Sequence, residues 1–410
     1  MKVRLHKSTI SNSLNKIVAI TGSKSESNRL LLLQALFSNL NIENLSNSDD
    51  SKVMQSAFQN ESHEINIHHA GTAMRFLTAY FSIQNNRDII LTGSARMKER
   101  PIEILVNALV QLGADITYLE NEGYPPLKIK GKKFTRSKVE LNANISSQYI
   151  SALLLIGAKL EHGIELTLKG KITSVPYIKM TLDLLNQIGI ETLFSNNTII
   201  VKPKSKIEDT LITVESDWSS ASYFFSLIAL SEIGTQVRLS SYKKNSLQGD
   251  SELVKIYKSF GVQTTFKSNV IILEKVLEID DSDVVEFNLI NTPDIAQTIA
   301  VTSLGLGLSC KLTGLHTLKI KETDRLQALK IELEKLGAQV EISQDSLVLH
   351  KTYAIKDNVN IDTYNDHRMA MAFAPLALKT DIIINDANVV SKSFPTFWSD
   401  LKAVGIKVSE

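Results

Sequence analysis

Cysteine is almost missing from this sequence: Cys310 is the single copy in 410 residues. One thiol cannot build an internal disulfide framework, a CxxC redox pair or a zinc ribbon, and its rarity agrees with a reducing compartment. Long apolar runs are missing as well. The N-terminal MKVRLHKSTI has no apolar signal core, and no uncharged apolar run reaches 18 residues, so a cytoplasmic protein with no membrane partner is expected. Charge of one sign is not in excess, since 45 Lys and Arg against 44 Asp and Glu leave a formal net charge of +1. A globally basic nucleic-acid binder is thereby excluded, and any basic site must be local. With 8 prolines and 18 glycines, no Pro/Gly-rich linker marks a junction. The length nevertheless exceeds what one ordinary core serves, so two domains are the default.

What the chain does contain is repetition. Six short polar clusters run directly into apolar helical stretches: Ser25-Glu-Ser-Asn-Arg29, Thr72-Ala-Met-Arg75, Ser146-Ser-Gln148, Ser219-Ser-Ala-Ser222, Thr292-Pro-Asp294 and Asn365-Asp-His-Arg368. With Ser25, Thr72, Ser147, Ser219, Asp294 and Asp366 as markers the spacings are 47, 75, 72, 75 and 72. A second series of helical patterns ends at Gly113, Gly189, Gly261, Gly337 and Gly405. Glycine is the expected residue just past a helix end, where φ turns positive. Alternating or β-branched segments follow the first four of these glycines (ITYLENEGYPPLKIKG, IETLFSNNTIIVKP, VQTTFKSNVIILEK, AQVEISQDSLVLHK) and read as hairpins. The unit is therefore strand–helix–strand–helix–hairpin. Its first helix, as in ISALLLIGA or YFFSLIALS, is apolar all round and is predicted to be buried; its second is amphipathic and is predicted to lie outside. The short 47-residue spacing predicts one unit interrupted where the chain passes between domains, with a hinge crossed twice, near Ala19–Gly22 and Glu215–Asp217.

A helix start offers free backbone N–H groups and the positive end of the macrodipole, so it suits anions. Several of these starts carry cations. Gly22-Ser-Lys24-Ser25-Glu-Ser-Asn-Arg29 offers amides, hydroxyls and two cations, although a capped helix with solvated charges is the plainer reading of such a start alone. It is not a Walker A loop, which requires Gly-Lys-Ser/Thr. Arg96-Met-Lys98-Glu99-Arg100-Pro101 gathers three cations before a helix, with Pro101 at a plausible first helical position; an exposed charged turn is the alternative. Lys321-Glu322-Thr-Asp324-Arg325 reads as another helix start, with Lys321 and Arg325 at i,i+4. Two like charges on one face repel unless an anion lies between them. Asp294 after Pro293, and His367 before an apolar run, each have an ordinary structural reading as well. His68-His69 lacks the HExxH or carboxylate companions of a metal site, Gly305-Leu-Gly307 is too short for a dinucleotide fingerprint, and no Gly-x-Ser-x-Gly elbow occurs. Taken together the pattern points to small, highly anionic substrates.

The strings GSKSESNR, AGTAMR, RMKERPI, SSQ, SVPY, SSASYF, NSLQGD, PDIAQT, KETDR, TYNDHRMAMAF and SFPTF run in this order from residue 22 to residue 397. In that order they resemble the 5-enolpyruvylshikimate-3-phosphate synthase family of enolpyruvyl transferases. The resemblance implies two inverse α/β, barrel-like domains, each of three βαβαββ units. The first comprises residues 1–20 plus 216–410 and the second residues 21–215, with the active site in the cleft between them. It implies that shikimate 3-phosphate and phosphoenolpyruvate combine, the 5-hydroxyl attacking C2 while C3 is protonated, through a tetrahedral intermediate that loses phosphate. Carried over residue by residue, Ser146, Ser147, Ser174, Tyr177 and Lys321 hold the shikimate phosphate, with Thr317 nearby. Ser25 and Arg29 take its carboxylate, and Gln148 meets the ring. Asp294 is the implied general base; Glu322 and Lys24 are the implied proton-transfer groups, with Lys24 touching both substrates. Arg100, Arg325, Arg368 and Lys392 clamp phosphoenolpyruvate, beside Gly71, Gln148 and His367. No metal, no organic cofactor and a monomer are implied, as is closure of the domains on their substrates.

Some positions depart from the family pattern. His69 stands where Asn or Asp commonly precedes Ala/Ser-Gly-Thr, Phe76 where Pro often follows the Arg, Lys319 where Arg is usual, and Thr317 where Asn is common. Gly71 is retained and in this family leaves room for glyphosate, so inhibition competitive with phosphoenolpyruvate is expected. UDP-N-acetylglucosamine enolpyruvyl transferase, which shares fold and donor, is the nearest rival; it usually carries Cys or Asp in the loop that here reads GSARMKERP. A non-catalytic repeat scaffold would explain the period but not the Ser and Lys/Arg clusters.

Overall fold

The protein is represented by a computed structural model that describes residues 1–10, 17–142, 146–170, 172, 175–279 and 284–410. The chain divides into two compact units, Gly22–Val214 and Met1–Thr21 together with Glu215–Glu410. At the first crossing only glycine fits, because a Cβ on Gly22 would lie 1.8 Å from the Asn44 carbonyl oxygen.

Unit Gly22–Val214 holds two copies of a four-stranded sheet. In one, Glu64–Asn66 pairs parallel to Asp88–Thr92, which pairs antiparallel to Leu127–Lys130 and so to Asp115–Tyr118. In the other, Lys138–Asn142, Ile164–Lys169, Thr198–Val201 and Thr192–Ser195 repeat that order. Their tight hairpin is turned by Asn196 and Asn197 at φ 48° and 61°, a left-handed pair that asparagine tolerates well. The third copy is shorter than expected. Leu40–Glu43 pairs only with Thr210–Thr213, in parallel, and the chain runs from helix Asp49–Gln59 into strand Glu64–Asn66 of the next copy. The 47-residue spacing thus reflects a missing hairpin; both crossings between units, at Thr21–Gly22 and Val214–Glu215, lie outside the interval from Ser25 to Thr72, so the expectation that the chain passes between domains there is corrected.

The other unit has three four-stranded sheets of the same pattern. Its first sheet begins with Ile17–Val18, parallel to Gln236–Ser240. Its last is closed by the N-terminal strand Val3–His6, which lies between Ile382–Ile384 and Lys407–Ser409. The final copy is therefore completed by residues from the opposite end of the chain.

The first helices of the copies are the interior. Ser147–Gly157 and Trp218–Ala229 are buried at nearly every position, as their uninterrupted apolar sequences require. In unit Gly22–Val214 helix Gly71–Ser82 packs on Ser147–Gly157, and both pack on Lys24–Leu36; in the other, Ala296–Leu306 packs on Trp218–Ala229 and His367–Phe373. Second helices lie over the sheets and end where glycine adopts positive φ, at Gly113, Gly261 and Gly337 among others.

Three local expectations are corrected. SELVKIYKSFG is not one α-helix; it is 3-10 turns Gly249–Glu252 and Tyr257–Phe260 around a short α-turn Leu253–Ile256. Tyr257 and Phe260, three apart and both buried, suit three residues per turn. Pro101 does not open the following helix, which begins at Glu103; Ile102 is fully buried and its amide donates to the Gly123 carbonyl at 2.9 Å, which holds the chain out of the helix. Lys321 lies outside its helix in extended backbone, while Arg325 is the first helical residue behind the Asp324 N-cap. The two cations therefore do not share a helix face.

Candidate active site

In the unit containing residues 215–410, one guanidinium organises a carboxylate cluster. Arg325, only 2% exposed, donates from Nη1 to Asp294 Oδ1 at 2.8 Å, from Nη2 to Glu322 Oε2 at 2.7 Å and from Nε to Asp366 Oδ2 at 2.7 Å. Three chain segments meet there because each supplies a helix start: Pro293–Ile295 leading into Ala296–Leu306, Arg325–Lys335 and His367–Phe373. Asp366 caps the last by accepting from the Arg368 amide at 2.9 Å. Arg368 donates from Nη1 to the Asp294 carbonyl at 3.0 Å and from Nη2 to Ser219 Oγ at 3.2 Å, with Nη2 3.5 Å from Asp294 Oδ2. Lys321 Nζ is 3.4 Å from Asp294 Oδ1, and Lys392 Nζ is 3.2 Å from Glu322 Oε1. An anion does lie between Lys321 and Arg325: it is the protein's own Asp294.

The cluster's electrostatics follow from this arrangement. Burial would raise the Asp294 carboxyl, but Lys321, Arg368 and Arg325 overcome it and hold the group far below the usual carboxylate range. Burial would lower Arg325, yet Asp366, Glu322 and Asp294 raise it above its ordinary value, and Arg368 is raised likewise, chiefly by Asp294 against burial. Asp294, Arg325 and Arg368 are therefore all charged at neutral pH. His367 is 2% exposed, its Nδ1 3.7 Å from Asp366 Oδ1. Thr317 Oγ1, in the turn before Lys321, is buried and has no hydrogen-bond partner among the described residues.

The other unit carries a different arrangement. The N-cap of helix Gly71–Ser82 is Ala70, which makes no side-chain cap hydrogen bond, so its first amides have no capping side chain. Arg100 is so close that a Cβ on Gly71 would sit 2.5 Å from its Nη1. Among the described residues Arg100 makes no ion pair. A cation beside an uncapped helix start is an arrangement that suits an anion. The loop that presents Arg100 is pinned through Pro101, whose carbonyl accepts from Arg75 Nη2 at 2.9 Å and from Tyr149 OH at 2.6 Å. Gln148 Nε2 donates to Thr72 Oγ1 at 3.2 Å, which joins the Ser146-capped helix to this start.

Lys24 Nζ lies 3.6 Å from Asp50 Oδ2 in the same unit. Arg29 is turned inward: Nε donates to Thr181 Oγ1 at 2.8 Å, Nη1 to the Ser25 carbonyl at 2.7 Å, and Nη2 to Ser151 Oγ at 2.9 Å. Its guanidinium also lies over the rings of Phe76 and Tyr177 at 5.5 and 5.9 Å. Burial pushes Arg29 down to about 10 against Tyr177 and Glu26, which leaves it protonated at neutral pH. Ser147 is buried and Ser146 and Tyr177 are half-buried, while Ser174 lies outside the described residues.

Sequence reading missed four participants. Asp366 served only as a spacing marker, yet it is fully buried on Arg325. Asp50, which faces Lys24, lies in an unremarkable Ser-Asp-Asp stretch. Ser219 and Asp250 stand inside SSASYF and NSLQGD with no cation to mark them, yet Ser219 Oγ accepts from Arg368 and donates to Asp250 Oδ2. Cation content was the signal used, and it passes over neutral and acidic partners. Among the described residues no group of three or more His, Cys, Asp or Glu could hold a metal ion, and no helix is long and apolar enough to cross a membrane.

Comparison with known proteins gives this geometry a family. A sequence model described as EPSP synthase (3-phosphoshikimate 1-carboxyvinyltransferase) matches residues 56–401. A protein named 3-phosphoshikimate 1-carboxyvinyltransferase from Bacteroides fragilis (strain YCH46) is 43% identical over 97% of this chain and 98% of its own length. One of the same name from Haemophilus influenzae (strain KW20) is 36% identical over 95% and 96%. The solved EPSP synthase from Acinetobacter baumannii superposes with a TM-score of 0.80 at 22% identity, covering all of both chains. The enolpyruvyl transferase NikO from Streptomyces tendae superposes with 0.76 at 14% identity, over 100% of this chain and 98% of its own. These two structures share the mixed α/β fold of many small sheets described above. On the strength of the family match and the near full-length relatives, the chain belongs to the EPSP synthase family.

Proposed function

We propose that this protein transfers the enolpyruvyl group of phosphoenolpyruvate to the 5-hydroxyl of shikimate 3-phosphate and releases phosphate, a step of aromatic amino-acid biosynthesis. The observation that carries the reading is the Arg325 cluster. Motif residues from three separated segments, Asp294, Glu322 and Asp366, meet on one buried guanidinium in a chain whose relatives carry the name of this activity. UDP-N-acetylglucosamine enolpyruvyl transfer and a non-catalytic scaffold are not favoured, since the matched family and the named relatives belong to the shikimate enzyme.

In this reading Asp294 takes the proton of the attacking hydroxyl. Its carboxylate is weakly basic while Lys321, Arg325 and Arg368 face it. Those cations are also the proposed ligands of the substrate phosphate and carboxylates. Anions that reach them cancel part of the field, so Asp294 gains basicity when both substrates are bound. Glu322, held between Arg325 and Lys392, and Lys24, beside Asp50, are the proton-transfer groups for the C3 carbon and the departing phosphate. Arg100 at the Gly71 helix start, with Arg325, Arg368 and Lys392, receives phosphoenolpyruvate beside Gln148 and His367. Bidentate Arg forks suit its phosphate and carboxylate.

For the acceptor, Ser146, Ser147, Ser174, Tyr177, Thr317 and Lys321 receive the phosphate, and Ser25 with Arg29 the carboxylate. Arg29 Nη1 carries a second N–H beyond the one given to Ser25. The protein works as a cytoplasmic monomer without metal or organic cofactor. Phosphate release is the test: phosphoenolpyruvate with shikimate 3-phosphate is expected to give turnover, and phosphoenolpyruvate with UDP-N-acetylglucosamine none. Turnover with the nucleotide sugar alone, or with neither acceptor, refutes the reading.

A further inference from the structure

Arg368 has only N–H groups to offer, so the Ser219 oxygen facing its Nη2 at 3.2 Å must act as acceptor. The Ser219 proton then has to point elsewhere, and Asp250 Oδ2 receives it. Asp250 is 5% exposed, and its other oxygen, Oδ1, has no hydrogen-bond partner among the described residues. An ionised carboxylate can only accept, which gives the chain a single polarity from Arg368 through Ser219 to Asp250. We propose that Ser219 and Asp250 are positioning residues for donor binding: Asp250 orients the Ser219 hydroxyl, and Ser219 fixes the guanidinium of Arg368 that receives phosphoenolpyruvate.

The proposal rests on the assignment of Arg368 to the donor. Helix capping does not account for the pair, because Asp217 already caps helix Trp218–Ala229 by accepting from the Ser220 amide at 2.7 Å. Nor is the carboxylate there for stability: burial, reinforced by Asp294, pushes it up to about 6 against Arg368 and Ser219. The third tie on Arg368 is Asp294 itself, by its carbonyl at 3.0 Å and its carboxylate at 3.5 Å. The pair therefore sets where the clamp sits relative to the proposed base.

Steady-state kinetics of the full chain test this, with the Michaelis constants of the two substrates measured separately and folding checked by circular dichroism. Ser219→Ala and Asp250→Ala are each expected to raise KM for phosphoenolpyruvate about tenfold, the size of one lost hydrogen bond to a charged group. KM for shikimate 3-phosphate should stay within about twofold and kcat within about threefold, since the chemistry groups remain. Asp250→Asn keeps an acceptor oxygen for Ser219 and should restore KM for phosphoenolpyruvate to within about threefold of wild type. A merely structural role moves folded yield without this split between substrates. If Asp250→Ala does not fold, Ser219→Ala decides alone. Wild-type turnover with unchanged KM for phosphoenolpyruvate in the folded variants overturns the positioning role, whereas absence of wild-type turnover overturns the functional reading beneath it.

Discussion

Replacing Asp250 by Asn should make the protein more stable at neutral pH, and the gain should vanish in acid. Asp250 is buried, and in the folded protein its carboxyl is pushed from 3.8 up to about 6, first by desolvation and then by Asp294, with Arg368 and Ser219 opposing and Asp217 adding to the rise. A carboxyl whose folded value exceeds its unfolded one binds its proton more tightly when folded. Stability therefore rises as pH falls from above 6 towards 4, and the penalty of the ionised form is complete above 6. A difference of about two units corresponds to about 3 kcal/mol at most. Asn has no such penalty and keeps the acceptor for Ser219. For a unit of about 200 residues each kcal/mol moves Tm by about 2–4 °C, so Asp250→Asn is expected to raise Tm by up to about 6–12 °C at pH 8. The excess should shrink through pH 6 and disappear by about pH 4. Thermal melts of both proteins by circular dichroism at pH 8, 6.5, 5 and 4 are the assay. A variant no more stable at pH 8, or an excess that stays constant across this range, would show that Asp250 does not carry a strained charge and refute the argument.

Arg325→Gln leaves three buried or half-buried carboxylates without their common partner; a loss of about 3–5 kcal/mol is expected, as for a broken buried ion pair. Denaturant titration of the two proteins checks this, and an unchanged midpoint contradicts it. Gly71→Ala places a methyl group 2.5 Å from the present position of Arg100 Nη1, so the guanidinium must shift. Inhibition by glyphosate is expected to weaken more than KM for phosphoenolpyruvate rises, and equal inhibition constants for both proteins would refute the steric account. Lys275, fully buried, donates to the Ala229 carbonyl at 2.8 Å and the Phe260 carbonyl at 3.1 Å. Lys275→Met should cost about 2–4 kcal/mol through the two orphaned carbonyls, measured by the same titration.

What could be read from the sequence was what a single residue type must do by itself. Gly113, Gly189, Gly261, Gly337 and Gly405 all take positive φ, so their spacing exposed the repeat. Buried helices such as Ser147–Gly157 announced themselves by apolar runs without a polar face. Cations at Lys321, Arg325 and Arg368 marked the cluster that the fold assembles. Their partners were hidden, because which acid meets which cation is decided by chain segments far apart: Arg325 and Asp366 are separated by 41 positions, Arg368 and Ser219 by 149. The hairpin missing from the copy that contains Leu40–Glu43 and the strand supplied by Val3–His6 were hidden for the same reason, since strand exchange between copies leaves the local pattern unchanged. Lys321 misled because spacing was read as a helix face where the backbone is extended.

Phosphate release from phosphoenolpyruvate and shikimate 3-phosphate, compared between wild type and Asp294→Ala, bears most directly on the account. General-base removal is expected to lower kcat by about 10²–10⁴-fold while both Michaelis constants move far less. A wild-type protein that releases phosphate only with another acceptor, or an Asp294→Ala variant with near-wild-type kcat, would contradict it.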